Sequence, residues 1–106
     1  MNLINLAKFL ESKPQRDFDT DAQHKFMVSH PNYLMRWGFH KPMLFAGRAY
    51  TFKVNGQSHR GTVALILNGE DQFDIYLLKG NLTEKRAVKG VQIDSLMRTI
   101  DALINK

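Results

Sequence analysis

Residues 30–43, HPNYLMRWGFHKPM, carry the densest mixture of chemically capable side chains in the chain. The only tryptophan, Trp37, lies between Tyr33 and Phe39, with His30 and His40 on either side and Arg36 and Lys41 among the rings. Aromatic faces can stack on nucleobases and interleaved cations can hold phosphates, so this composition points toward a nucleic-acid contact. Alternation as a strand would place Tyr33, Met35, Trp37 and Phe39 on one face, which is then either core or a stacking platform.

Charge extends the pattern. Of 106 residues, 15 are Lys or Arg and 10 are Asp or Glu, a net charge of +5. From Ala22 through Gly69 there is no acidic residue, while Lys25, Arg36, Lys41, Arg48, Lys53 and Arg60 and all four histidines fall inside that window. A one-signed segment beside aromatics favours an anionic partner; excess cations that simply keep a domain soluble are the plainer explanation.

Several chemistries lack their residues. There is no cysteine, hence no disulfide, thiolate nucleophile or Cys-based metal site. The central window contains no carboxylate for acid–base work, leaving the acids of the N-terminal loop (Asp17, Asp19, Asp21), Asp71, read as a turn residue, and Asp74, read as a solvated strand residue. The histidines form neither HEXXH nor an i, i+4 pair, so no metal or other cofactor is expected. His24 and His59 read as strand histidines at a sheet margin. Ser29-His30 and Ser58-His59 are sequence neighbours, which a strand would point to opposite faces. Neither GxGxxG nor GxxxxGK[ST] occurs.

The elements that must position these residues suggest one domain over 1–106. A chain of this length buries about two thirds of its unfolded surface, enough for a single core. MNLINLAKFLESK lacks the basic start and apolar run of a signal peptide, and no segment is long and apolar enough to span a bilayer. A cytoplasmic protein is expected. Leu3, Leu6, Ala7 and Leu10 predict a helix over 3–12, and PQRDFDTDAQ (14–23) predicts a loop. Strands are predicted at 24–29 and 32–39, with Gly38 at a bulge and Pro42 interrupting pairing.

RAYTFKVNGQSHRGTVALILNGEDQFDIYLLKG, residues 48–80, predicts three antiparallel strands. Asn55-Gly56 reads as a two-residue turn, pairing Val54 with Gln57 and Phe52 with His59. Asn68-Gly69-Glu70 reads as a three-residue turn, pairing Leu65 with Phe73; a two-residue turn would split the apolar residues between faces. Tyr50, Phe52, Val54, Val63, Leu65, Leu67, Phe73, Ile75 and Leu77 then form the core face. The opposite face, with Lys53, Arg60, Thr62, Asp74 and Tyr76, is expected to be open, polar and basic. A charged edge strand follows within 82–91. Ile93, Leu96, Met97, Ile100, Leu103 and Ile104 predict a C-terminal helix. The expected class is α+β: an antiparallel sheet of about five strands, with an N-terminal and a C-terminal helix packed on one face.

The hairpin YTFKVNGQSHRGTVALI and the segment YLLKG resemble, in outline, RelE-type toxin ribonucleases over about a third of the chain. That resemblance implies metal-independent RNA cleavage by Arg, Lys, Tyr and His. Only 3–12 reads as helical before the strands, where such toxins have a helical hairpin.

The function these readings favour is a non-enzymatic domain binding single-stranded RNA or DNA. Trp37 and Tyr76 would stack bases, while Arg36, Lys41, Lys53 and Arg60 hold phosphates. The alternative is a protein-interaction module, monomer or homodimer, docking an acidic or apolar partner surface. It would use an exposed patch of Ile66, Tyr76, Leu78 and Met43-Leu44-Phe45, with the cations as its rim.

Overall fold

The structure, a computed structural model, describes residues 19–45, 49–68, 70–79 and 83–105. The helix expected over 3–12 lies outside them. Two helices, α1 (Thr20–Val28) and α2 (Pro31–Trp37), precede five strands: β1 (His40–Phe45), β2 (Ala49–Asn55), β3 (Arg60–Leu67), β4 (Phe73–Leu78) and β5 (Glu84–Val91). A final helix, α3 (Ile93–Asn105), ends the described chain. The sheet is an antiparallel meander in the order β1-β2-β3-β4-β5, so the class is α+β.

The helix pair overturns the two strands expected over 24–39 and, at residues 20–23, the loop expected over 14–23, whose first five residues lie outside the described ones. Asp19 caps α1, its carboxylate accepting from the Ala22 amide at 2.9 Å. Thr20, Gln23 and Met27 are buried at helical spacing, which outweighs the short Phe26/Val28 alternation. In α2, Pro31 occupies the first turn, where a missing N–H costs nothing. Gly38 closes α2 in the left-handed conformation, φ 66°, so it is a helix stop and not a bulge. Helical geometry also separates the supposed strand face: Trp37 is fully buried while Met35 is 81% exposed.

Pro42 sits on the edge strand, in a register break between His40↔Lys53 and Met43↔Thr51. Both central turns are longer than expected. Val54 pairs with Gly61 and Leu65 with Ile75, four and two residues further along than the short turns would place them. Both displacements are even, so every side chain keeps its face.

The predicted core face is the observed one. Tyr50, Phe52, Val54, Val63, Leu65, Phe73, Ile75 and Leu77 pack with Met27, Trp37 and the apolar stripe of α3. His24 lies in α1 rather than a strand, with its Nδ1 2.7 Å from the buried Tyr50 hydroxyl, whose pKa burial pushes up to about 12.

The middle of the opposite face is closed, contrary to expectation, while its end at Lys53 and Arg60 reaches solvent. Ala49, Ala64, Ile66, Tyr76 and Leu78 form a second buried cluster, with Phe45 and Ala87 packed against it. Asp74 is buried as well, accepting from the Asn68 side-chain amide and the Gly90 backbone amide, each at 3.1 Å. The reason is visible in TVALIL: an unbroken apolar run suits a strand buried on both faces. The apolar interaction patch expected from Ile66, Tyr76 and Leu78 is therefore absent from the surface.

The β2–β3 turn, residues 56–59, is held against the end of α3. The Gly56 amide donates to the His59 carbonyl at 3.0 Å, and the Ser58 amide donates to the Ile104 carbonyl at 2.6 Å. A Cβ on Gly56 would lie 2.6 Å from the Ile104 carbonyl oxygen and overlap its side chain. Gly56→Ala is expected to lose roughly 1–3 kcal/mol of stability by overpacking. A urea midpoint equal to wild type would refute that close packing.

Candidate anion-binding end of the sheet

The six residues picked out for nucleic-acid contact divide in two. Trp37 and Tyr76 are removed from solvent, at 0% and 1% exposure, so neither offers a ring face to a base. The Trp37 ring stacks on Phe52, centroids 6.1 Å apart, and its Nε1 donates to Asp101 Oδ1 at 2.9 Å. Tyr76 stands opposite Ala64 and Ala87 in the ladder. Burial raises its phenol pKa, helped by the negative charges of Asp74 and Glu84. Their removal from the surface follows from packing: α2 turns Trp37 inward, and the second apolar cluster encloses Tyr76.

Arg36, Lys41, Lys53 and Arg60 reach solvent and gather at one end of the sheet. Arg36 ends α2, Lys41 begins β1, Lys53 is near the end of β2, and Arg60 begins β3 opposite Asn55. His40 faces Lys53 across the ladder. Its Nδ1 lies 2.7 Å from the Gly38 carbonyl, which can only accept, so Nδ1 carries the hydrogen. Lys79, just past β4, and Lys85, near the start of β5, stand at the same end. Glu70, Asp71 and Asp74 lie around the turn at the other end. Glu84 begins β5 opposite Leu78 and so lies at the basic end too, as does Asp101 beside Arg36, but the cations there outnumber these acids.

Arg36 and Arg60 share a cleft of about 300 Å³ with Asn55, Gly56, Gln57 and Asn105. No carboxylate is among its lining residues. Asp101 sits behind it, accepting from Arg36 Nη1 at 3.1 Å. Arg36 is also 5.4 Å from the Tyr33 ring centroid, a cation–π contact that helps set its direction. Arg60, Lys41 and Lys53 make no ion pair among the described residues. Asn105 joins the walls: its Oδ1 accepts from the Gln57 amide at 3.4 Å and its Nδ2 donates to Asp101 at 3.3 Å. Guanidinium forks and amide groups around a cleft suit the oxygens of a phosphate or carboxylate.

Asn55, Gln57, Asp101 and Asn105 were not singled out from sequence. Asp101 and Asn105 stand four apart on α3, a helix-neighbour spacing, but nothing local connects them with Trp37 or Gln57. Among the described residues, no three His, Cys, Asp or Glu side chains are grouped as a metal ion would need. None of the described helices is long and apolar enough to cross a membrane.

His59, in the turn that walls the cleft, is a buried loop residue and not a strand histidine. Its Nε2 lies 3.2 Å from the Thr62 carbonyl and therefore carries the hydrogen. Burial lowers its pKa from the ordinary 6.5; the Thr62 bond opposes this and Lys85 adds to it. Below about pH 6.5 the unfolded chain takes up a proton that the folded ring resists, so stability falls as pH drops. Above that value both states are neutral and the contribution is flat. Chemical denaturation between pH 7 and 5 should show a smaller decline for His59→Gln than for wild type. Equal slopes would contradict the assignment.

Comparison with protein-family models, with curated proteins and with solved structures finds no match.

Proposed function

We propose that this chain is a non-enzymatic nucleic-acid-binding domain, and that it holds single-stranded RNA or DNA at the basic end of its sheet. The observation that supports this is the convergence of Arg36, Lys41, Lys53 and Arg60 from four successive elements, with Arg36 and Arg60 in one carboxylate-free cleft. Guanidinium and ammonium groups on phosphates release condensed counterions, which gives affinity without requiring a sequence motif. Such contacts position the strand and carry no direct base information. The phosphate role assigned to these four cations is retained; the stacking role of Trp37 and Tyr76 is not.

Lys53→Glu combined with Arg60→Glu is the test. Both positions reach solvent, so the fold should survive, as circular dichroism would report. Fluorescence anisotropy with a labelled single strand should show wild-type binding that weakens steeply with salt, and loss of that binding in the double variant. Retained affinity would place the contact elsewhere. No binding of any polymer by wild type would redirect the cations toward an acidic protein surface.

A further inference from the structure

A second, larger groove adjoins the Arg36/Arg60 cleft. It lies between β5 and α3 and encloses about 500 Å³, within the range of small-ligand sites. Leu77, Val88 and Leu103 give it an apolar lining. Arg86 stands opposite Leu77 in the β4–β5 ladder, which puts an exposed guanidinium on the groove side of the sheet. Arg86 makes no ion pair among the described residues. Lys85 also lines the groove and donates to the Ser58 carbonyl at 2.7 Å, tying β5 to the 56–59 turn. Ser58 and Thr99 add two hydroxyls, and no carboxylate lines the groove.

The two cavities lie on either side of the 56–59 turn and the end of α3, with no lining residue in common. Gln57 lines one and Ser58 the other; Asn105 lines one and Leu103 the other. Gln57 and Ser58 are consecutive, with Cα atoms about 3.8 Å apart, whereas Asn105 and Leu103 are two apart and point to different sides of α3, so a strand leaving the arginine cleft reaches the groove by crossing the turn at the end of that helix. No aromatic residue lines the groove, so the Arg86 guanidinium is its stacking plane, while the apolar floor can cover a flat base and the hydroxyls can bond its polar edge.

We infer that the β5–α3 groove receives an unpaired nucleobase of a strand whose phosphate is held by Arg36 and Arg60. This rests on the nucleic-acid reading above and deepens it. A paired base is covered by its neighbours and would have to be flipped out to enter, so the occupant is single-stranded. Sequence preference is weak, because stacking and apolar cover accept any base.

The experiment compares three labelled 12-mers of deoxyribonucleotide units: oligo-dT, a charge-matched abasic strand and a duplex. Each is titrated by anisotropy into the wild-type chain and into Ala102→Trp. Ala102 is an exposed residue lining the groove, so the indole should fill the trough without disturbing the core. Oligo-dT should bind wild type about tenfold more tightly than either the abasic strand or the duplex. In Ala102→Trp that advantage should vanish while the abasic affinity stays as it was.

Equal wild-type affinities for oligo-dT and the abasic strand would overturn the base groove and leave the phosphate reading standing. An advantage that survives Ala102→Trp would overturn this groove as the base's place. Absence of binding to all three strands would overturn both readings.

Discussion

Phe52→Ala is expected to remove roughly 3–5 kcal/mol of stability, a large part of the about 5–15 kcal/mol that holds a typical domain together. Phe52 is fully buried on β2, and three rings surround it. Trp37 stacks on it at an interplanar angle of 12°, Phe39 approaches to 4.9 Å and Tyr50 to 5.9 Å between centroids. These rings come from α2, the link into β1 and β2 itself, so one side chain joins the helix pair to the sheet. Truncation forfeits its burial and also leaves a cavity whose aromatic walls cannot all collapse inward. Urea unfolding followed by Trp37 fluorescence reads the loss directly. Phe52→Leu, which fills part of the space, should recover a substantial fraction. A loss under about 1 kcal/mol for Phe52→Ala would mean that the ring cluster is not the junction its geometry indicates.

Asp101→Ala should cost roughly 2–4 kcal/mol and at the same time strengthen nucleic-acid binding. The carboxylate accepts from the buried indole of Trp37 at 2.9 Å, from Arg36 at 3.1 Å and from Asn105 at 3.3 Å. Its removal strands a buried N–H, and an unmade buried bond costs more than a made one contributes. Asp101→Asn keeps an oxygen for the indole, so its loss of stability should be clearly smaller. Both variants delete the negative charge behind the arginine cleft and release Arg36. Affinity for a single strand at low salt should rise a few-fold in each, provided the measurement is made where the variant is folded. Weaker binding by Asp101→Asn in its folded range would show that the carboxylate aims Arg36 productively and does not compete for it. Unaltered stability in Asp101→Ala would remove Asp101 from the support of Trp37.

Local periodicity made much of this fold legible. In residues 49–78 the alternation assigned each side chain to a face, and that assignment survived two wrong turn lengths because both errors were even. The stripe of α3 was equally readable: Leu96, Met97, Ile100, Leu103 and Ile104 are buried, while Ile93, in the first turn, is 41% exposed. Two further signals are present in the sequence but compete with others. Pro31 and Gly38 bracket a helix, yet the residues between them also alternate. TVALIL declares a strand buried twice, yet Lys53, Arg60 and Thr62 suggested a wet face.

The sequence by itself therefore determined the sheet faces and the final helix, because pleat and helical pitch tie side-chain direction to position within a few residues. It also determined the long acid-free window. Only the tertiary structure decided which members of that window lie together. Trp37 meets Asp101 across 64 residues, and Arg36 meets Arg60 because α2 and the β2–β3 turn pack at the same end of α3. No period records such meetings. They depend on which of several apolar surfaces cover one another, a global choice that local spacing leaves open.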